Sequence, residues 1–101
     1  MNYVLVIIEE AITELDDAFV WYETKSLGLG EKFIENIEKG FDFVKNNPKA
    51  SEKQSNVVYR HVVNKFPYGI YYLIDKEKKQ IKVIAILHFK RNPSIWKKRL
   101  E

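Results

Sequence analysis

The feature that most constrains the fold is a change in the spacing of the apolar residues along the chain. Two stripes in the first half repeat at steps of three and four residues, which places side chains on one face of a helix. These stripes are Ile12, Leu15, Phe19 and Tyr22, and then Phe33 or Ile34, Ile37, Phe41 and Val44. Segments 57–63, 68–74 and 81–87 instead alternate with a period of two, as strands do. The chain is therefore predicted to be two helices followed by three strands.

Residues that disfavour helix or permit turns set the limits of the helical half. Residues 3–8 precede the first stripe and are rich in Val and Ile, so they are predicted to form a strand. Gly28 and Gly30 supply the conformational freedom of a tight turn between the two helices. Pro48 ends the second helix, because the residue before a proline disfavours the helical conformation.

The second half is predicted to be an antiparallel meander. Residues 49–56 are polar and carry lysine, which favours a loop. The turns at 64–67 and 75–80 are too short for a crossover connection, so the three strands must pair antiparallel. A basic tail from Asn92 is predicted to contain a short helix, with Pro93 in its first turn. The expected fold class is α+β, in one domain over residues 1–101, with the helix pair on one face of the sheet.

The second face of that sheet needs another cover. Strict alternation divides strand 81–87 into one face with Ile81, Val83, Ala85 and Leu87 and another with Ile84 and Ile86. Two helices can bury only one face, so the other is expected to present an aromatic and aliphatic surface that a partner would cover. The alternative is that the C-terminal tail covers it through Trp96. Both hold if a partner displaces the tail.

Charge is divided unevenly between the two halves. Residues 1–50 carry 5 Lys/Arg and 10 Asp/Glu, whereas residues 51–101 carry 12 Lys/Arg and 4 Asp/Glu. A basic half of this kind often marks a face for a polyanion or an acidic partner, although solvated turns give the same composition. The sequence has no cysteine, which excludes disulfides and thiol chemistry and is compatible with the cytoplasm. Neither a metal, a cofactor nor a membrane partner is expected, because no ligand motif and no membrane-length apolar run occurs.

Several segments resemble the RelE/ParE superfamily of toxins, in order and in spacing, over nearly the whole chain. They are Trp21-Tyr22-Glu23, Gly28 to Phe33, Asn47-Pro48, Tyr59-Arg60, Phe66 to Tyr72, Ile81 to His88 and Arg91 to Trp96. The resemblance implies a microbial RNase-like fold and a toxin of a type II toxin–antitoxin system, silenced by a cognate antitoxin encoded beside it. RelE-like members cut messenger RNA in the ribosomal A site, and ParE-like members block DNA gyrase. The fold alone does not choose between these targets.

The ribonuclease alternative predicts a site at the ends of the strands. Metal-free RNA cleavage needs a base for the 2′-hydroxyl, an acid for the leaving oxygen and cations for the phosphate. In the ribonucleases that this chain resembles, an arginine on the central strands and a histidine or tyrosine near the end of the last strand are catalytic. Arg60 and His88 occupy comparable positions, and Arg91 adds a second guanidinium. The alternative roles are an ion pair for Arg60 and a structural hydrogen bond for His88.

The remaining candidates concern substrate and antitoxin. Substrate binding is assigned to Lys90, Lys65, Lys53 and Tyr71, and antitoxin binding to Tyr72, Ile84, Ile86 and Trp96. The expected activity is ribosome-dependent mRNA cleavage. The first alternative is a non-enzymatic gyrase inhibitor that docks through the basic half, and the second is a degenerate toxin that only binds its antitoxin.

Overall fold

The computed structural model describes residues 3–100, and its elements follow the predicted order with one addition. They are β1 (Val4–Ile7), α1 (Glu9–Lys25), α2 (Leu29–Asn46), β2 (Glu52–Lys53), β3 (Tyr59–Val62), β4 (Tyr68–Asp75), β5 (Gln80–His88) and α3 (Ser94–Lys98). The predicted α+β class is confirmed. Within the described range, no helix combines the length and the apolar character that a membrane crossing would require.

The turn between α1 and α2 is held by one carboxylate and two glycines. The Glu23 carboxylate accepts hydrogen bonds from the backbone N–H groups of Gly28 and Gly30, each at 2.9 Å. Gly28 has a φ of 85°, in the left-handed region that glycine adopts without strain. A Cβ at Gly30 would lie 2.7 Å from the backbone oxygen of Phe19, so only glycine lets the two helices approach this closely.

The described residues form a five-stranded sheet in the order β1-β5-β4-β3-β2. Strands β2 to β5 pair antiparallel, and β1 pairs parallel to β5, which places the first strand beside the last. The prediction of a continuous loop over 49–56 is wrong at β2, where Glu52 and Lys53 pair with Arg60 and Tyr59. Two polar residues are too few to show a strand periodicity, which is why the sequence pattern misses this strand.

A β-bulge changes the faces of β5. Tyr71 pairs with Ala85 and Tyr72 pairs with Val83, so Ile84 is an extra residue in the ladder. The strict alternation expected for this strand is therefore wrong, because the extra residue reverses the phase. On one face of the sheet, Ile70, Tyr72, Ile81, Val83 and Ile86 pack against side chains of the helix pair that include Phe33, Ile37 and Val44. Those on the opposite face are Val58, Tyr71, Ile84, Ala85, Leu87 and Trp96.

The opposite face is covered by the chain's own tail. Trp96, on α3, is only 3% exposed, and its ring stacks on Tyr71 with centroids 5.9 Å apart. The alternative in which the tail covers the sheet is therefore confirmed, and the exposed surface expected there is absent from residues 3–100. An indole buries more apolar area than most side chains, so a helix as short as α3 is enough to cover this part of the sheet.

Candidate functional site

A groove of about 580 Å³ lies between α1 and the end of β5. Glu14, Asp17, Ala18 and Trp21 form its α1 wall, at the spacing of one helical face. Tyr68, Ile86, His88 and Arg91 lie on the opposite side. Both walls are placed by the parallel pairing of β1 with β5, since α1 begins two residues after β1 ends.

His88 and Arg91 lie together in this groove, as the sequence predicted. His88 Nδ1 accepts a hydrogen bond from the Lys90 backbone N–H at 3.0 Å, so the neutral ring carries its proton on Nε2. The Arg91 backbone N–H donates to the His88 carbonyl at 2.9 Å. The predicted alternative, in which His88 bonds the chain as it leaves the sheet, is thus confirmed. The side chains of His88 and Arg91 still line the groove.

Tyr68 places a phenol beside this pair. Its ring meets His88 edge to face, with centroids 5.4 Å apart. Burial raises the pKa of Tyr68, and the nearby charge of Arg91 opposes that rise. His88, Arg91 and Tyr68 therefore place an imidazole, a guanidinium and a protonated phenol together in a groove that Glu14, Asp17 and Tyr22 also line. Such a set can donate hydrogen bonds to an anionic group and can exchange a proton with it.

Arg60 lies on the other face of the sheet. Its cross-strand neighbour Tyr71 stacks beneath α3, whereas the neighbour of His88 is Tyr68, which packs against the helix pair. The expectation that Arg60 and His88 share one site is wrong. The two side chains project to opposite sides of the sheet because of the register between β3, β4 and β5.

The Arg60 side chain is held by its own surroundings. It passes over Gly69, where an added Cβ would lie 2.8 Å from Arg60 Cγ. Its guanidinium carbon lies 5.4 Å from the centre of the Phe89 ring, and Nη2 lies 3.4 Å from Glu52 Oε1. The ion pair predicted as the alternative role of Arg60 is therefore confirmed.

The four predicted substrate-binding residues are dispersed over the surface. Lys90 is exposed and lies two residues after His88. Lys65 occupies the turn between β3 and β4 with a φ of 69° and lines a shallow pocket beside α2. Lys53 lies on β2, with Nζ 5.6 Å from the centre of the Tyr59 ring. Tyr71 is buried beneath α3. The structure thus brings only Lys90 near the groove.

The four predicted antitoxin-binding residues are buried. Tyr72 and Ile86 lie beneath the helix pair, and Ile84 and Trp96 belong to the cluster beneath α3. Tyr72 also donates a hydrogen bond from its hydroxyl to the Pro48 carbonyl at 2.8 Å. The expectation that these side chains are open to a partner is wrong for this conformation. The β5 bulge and the tail account for the difference.

Sequence reasoning missed an ion pair beside the groove. Arg99, directly after α3, forms two hydrogen bonds with the Glu14 carboxylate, at 2.9 Å and 2.8 Å, and a third with the Ile84 carbonyl at 2.8 Å. Glu14 also accepts the Ile86 backbone N–H at 3.0 Å. The side chains of Arg99 and Glu14 are 17% and 14% exposed, and the hydrogen bonding between them raises the pKa of Arg99. No local pattern could reveal a pair that is separated by 85 positions.

No cluster of three or more histidine, cysteine, aspartate or glutamate side chains in the described structure could hold a metal ion.

Residues 5–93 match the family model described as the ParE toxin of the type II toxin–antitoxin system parDE. The sequence matches no curated relative. The chain is similar to the structure of the chromosomal ParDE system from P. aeruginosa, with a TM-score of 0.72 and 14% identity, over 86% of this chain and 96% of that chain.

Two RelE structures are similar in fold as well. A free mutant of the E. coli toxin RelE gives a TM-score of 0.77 at 22% identity, over 100% of both chains. The archaeal RelE–RelB complex from Pyrococcus horikoshii OT3 gives a TM-score of 0.60 at 13% identity, over 91% of this chain and 100% of that chain. At this level of identity the similarity to solved structures shows the fold.

Proposed function

The chain belongs to the ParE toxin family of type II toxin–antitoxin systems, and from this premise we propose that it arrests growth by binding a protein target rather than by cutting RNA. DNA gyrase is the target that the resemblance to ParE-like toxins implies. One observation carries this proposal: Arg60 and His88 lie on opposite faces of the sheet. A toxin that acts by docking needs no such pair.

The separation matters because metal-free RNA cleavage is demanding in geometry. The base, the acid and the cations must all reach one phosphate, within hydrogen-bond distance of the reacting oxygens. The Arg60 guanidinium instead contacts Phe89 and Glu52 on the face of the sheet that α3 covers, whereas His88 lines the groove on the face that the helix pair covers.

The basic half of the chain supplies a docking surface for an acidic protein. Residues 51–101 carry a balance of eight positive charges, and their exposed lysines include Lys53, Lys76, Lys78, Lys79 and Lys82. Exposed charge of one sign steers a complementary surface and speeds its association, especially at low salt. Association with the target should therefore weaken as the salt concentration rises.

A cognate antitoxin is the second proposed partner. Similar folds are solved as ParDE and RelE–RelB systems, which supports a neutralising protein for this chain too. Ile84 and Trp96 remain candidates for that contact on one condition, namely that the antitoxin lifts α3 from the sheet. A helix or strand laid across the vacated face would then bury the same apolar cluster.

The test is controlled expression followed by parallel measurements of DNA breakage and of mRNA 5′ ends. We expect DNA breakage with intact mRNA, both for the wild-type chain and for His88→Ala and Arg60→Ala. Lys98→Ala, at an exposed position on α3, serves as the control for the loss of a single cation. Cleavage within codons of translated messages, lost in His88→Ala, would refute the proposal.

A second candidate function is supported by the groove itself. His88, Arg91 and Tyr68 lie together there, which is a possible proton donor and phosphate-binding set for mRNA cleavage. This candidate predicts cleavage that is lost in His88→Ala and in Arg91→Ala but is retained in Arg60→Ala. Normal growth on induction, with neither form of damage, would identify a degenerate toxin that only binds its antitoxin.

A further inference from the structure

Strand β5 has a free edge beside the groove. β1 pairs with β5 only from Gln80 to Val83, and the last backbone bond of this pairing runs from the Ile8 N–H to the Val83 carbonyl at 3.1 Å. β5 continues to His88. On the side that β1 occupies, residues 84–88 therefore have no neighbouring strand within the described part of the chain.

Two backbone groups on this edge are bound by side chains instead. The Ile84 carbonyl accepts a hydrogen bond from Arg99 Nη1 at 2.8 Å, and the Ile86 N–H donates to Glu14 Oε1 at 3.0 Å. A carbonyl and an N–H two residues apart are the groups that an adjacent strand would use. Glu14 and Arg99 thus occupy the position of a missing strand, and they link α1 to the residue that follows α3.

Beyond the Ile86 N–H, the backbone groups on this edge of β5 are not bound by a side chain that the structure describes. Because N–H groups of a strand alternate in direction, the His88 N–H points to the same side as the Ile86 N–H. It has no hydrogen-bond partner among residues 3–100, nor has the Ile86 carbonyl. The 580 Å³ groove lies beside these groups, between Trp21 and Tyr68. One wall of the groove is thus an unpaired strand edge, and two aromatic rings flank it.

We propose that an extended segment of a partner protein enters this groove and adds to the sheet along β5, displacing the Glu14 and Arg99 side chains from the Ile84 and Ile86 backbone. Only an extended polypeptide repeats donors and acceptors at the spacing of this edge, and the vacant position lies in line with β1. The groove between Trp21 and Ile86 receives one apolar side chain of the segment.

The partner is the antitoxin, so the inference rests on the partnership proposed above. The exposed guanidinium of Arg91 lies at the groove, where it favours an acidic residue on the incoming segment. The Glu14–Arg99 pair acts as a removable plug: it satisfies the edge in the free toxin and prevents uncontrolled pairing with other strands. The antitoxin gains access to the edge when the pair opens.

Residue-resolved amide hydrogen exchange of the toxin, alone and bound to the product of the adjacent antitoxin gene, tests the inference. We expect the exchange of the His88 amide to slow roughly fivefold or more in the complex, because it gains a backbone partner. The Ile86 amide should stay protected, since a strand replaces Glu14. A complex in which the His88 amide exchanges at its free rate overturns the inference and leaves the partnership intact.

Two variants examine the plug itself. Arg99→Ala should associate with the antitoxin faster than the wild-type toxin, because the edge is already open, and Lys98→Ala should associate at the wild-type rate. An association rate of Arg99→Ala equal to that of Lys98→Ala overturns the role of the pair. If size-exclusion chromatography detects no complex at all, the proposed partnership fails, and the inference fails with it.

Discussion

The Glu14–Arg99 pair should resist replacement by apolar side chains. An ordinary buried ion pair can be exchanged for well-packed hydrophobic residues at no loss of stability, and sometimes with a gain of about 1–4 kcal/mol. Here the pair also satisfies the Ile84 carbonyl and the Ile86 N–H on the edge of β5. The double variant Glu14→Leu/Arg99→Met removes both charges and leaves these two backbone groups without partners.

The expected loss follows from those two groups. A buried donor or acceptor without a partner costs about 1–3 kcal/mol, and limited water access keeps the sum for both at roughly 2–4 kcal/mol. A domain of this size has a free energy of unfolding of about 5–15 kcal/mol. The loss is therefore a large fraction of the total, and it should lower Tm by on the order of 10–20 °C.

Urea unfolding followed by circular dichroism measures this difference, with a second double variant as the matched control. Glu14→Gln/Arg99→Gln also removes the charges, but it keeps an amide acceptor near the Ile86 N–H and an amide donor near the Ile84 carbonyl. It should be more stable than Glu14→Leu/Arg99→Met. If the apolar double variant unfolds at the same urea concentration as the wild-type chain, the two backbone groups do not depend on the pair and the reasoning is refuted.

Two further predictions concern stability. Burial lowers the pKa of His61, whose ring stacks on Phe43, from its ordinary value of 6.5. Because the unfolded chain then binds a proton at His61 more readily than the folded chain does, the free energy of unfolding should fall as the pH drops below about 6.5. The variant His61→Phe should lose this part of the pH dependence in urea titrations at several pH values. Gly30→Ala should lower the free energy of unfolding by about 1–3 kcal/mol, because the added Cβ would collide with the Phe19 backbone. At Gly28 the added Cβ meets no neighbour within 4 Å, so Gly28→Ala should lower it less, by about 1–2 kcal/mol, through its left-handed φ alone. Equal losses of stability in thermal unfolding would contradict this ranking.

Periodicity was sufficient to predict most of the fold. The helix pair, the turn at Gly28 and the end of α2 before Pro48 each follow from local residues, whereas Gly30 lies within α2 and not in the predicted turn. The bulge at Ile84 does not, because a run of β-branched residues looks alike whether or not one residue is extra. That single residue decides which side chains of β5 face the helices, and hence which apolar surface is buried.

The candidate site was predictable only where its members are close in sequence. His88 ends β5 and Arg91 follows it by three residues, so their joint position follows from their spacing. Whether Arg60 joins them depends on the relative register of three strands, which side-chain alternation within one strand does not determine. The link from Glu14 to Arg99 spans most of the chain and could not be anticipated from any segment.

The parallel contact of β1 with β5 also governs when the protein can form. The first strand has its only sheet neighbour in the described structure at residues 80–83, and Glu14 meets its cation at Arg99. Contacts of such high sequence separation slow folding, because a long loop must close before they contribute. A growing nascent chain can build the α1–α2 hairpin early, but it cannot close the sheet until residues 80–99 have left the ribosome. Until those residues emerge, the nascent chain lacks the β1–β5 pairing, and the groove between α1 and the end of β5 is not yet formed.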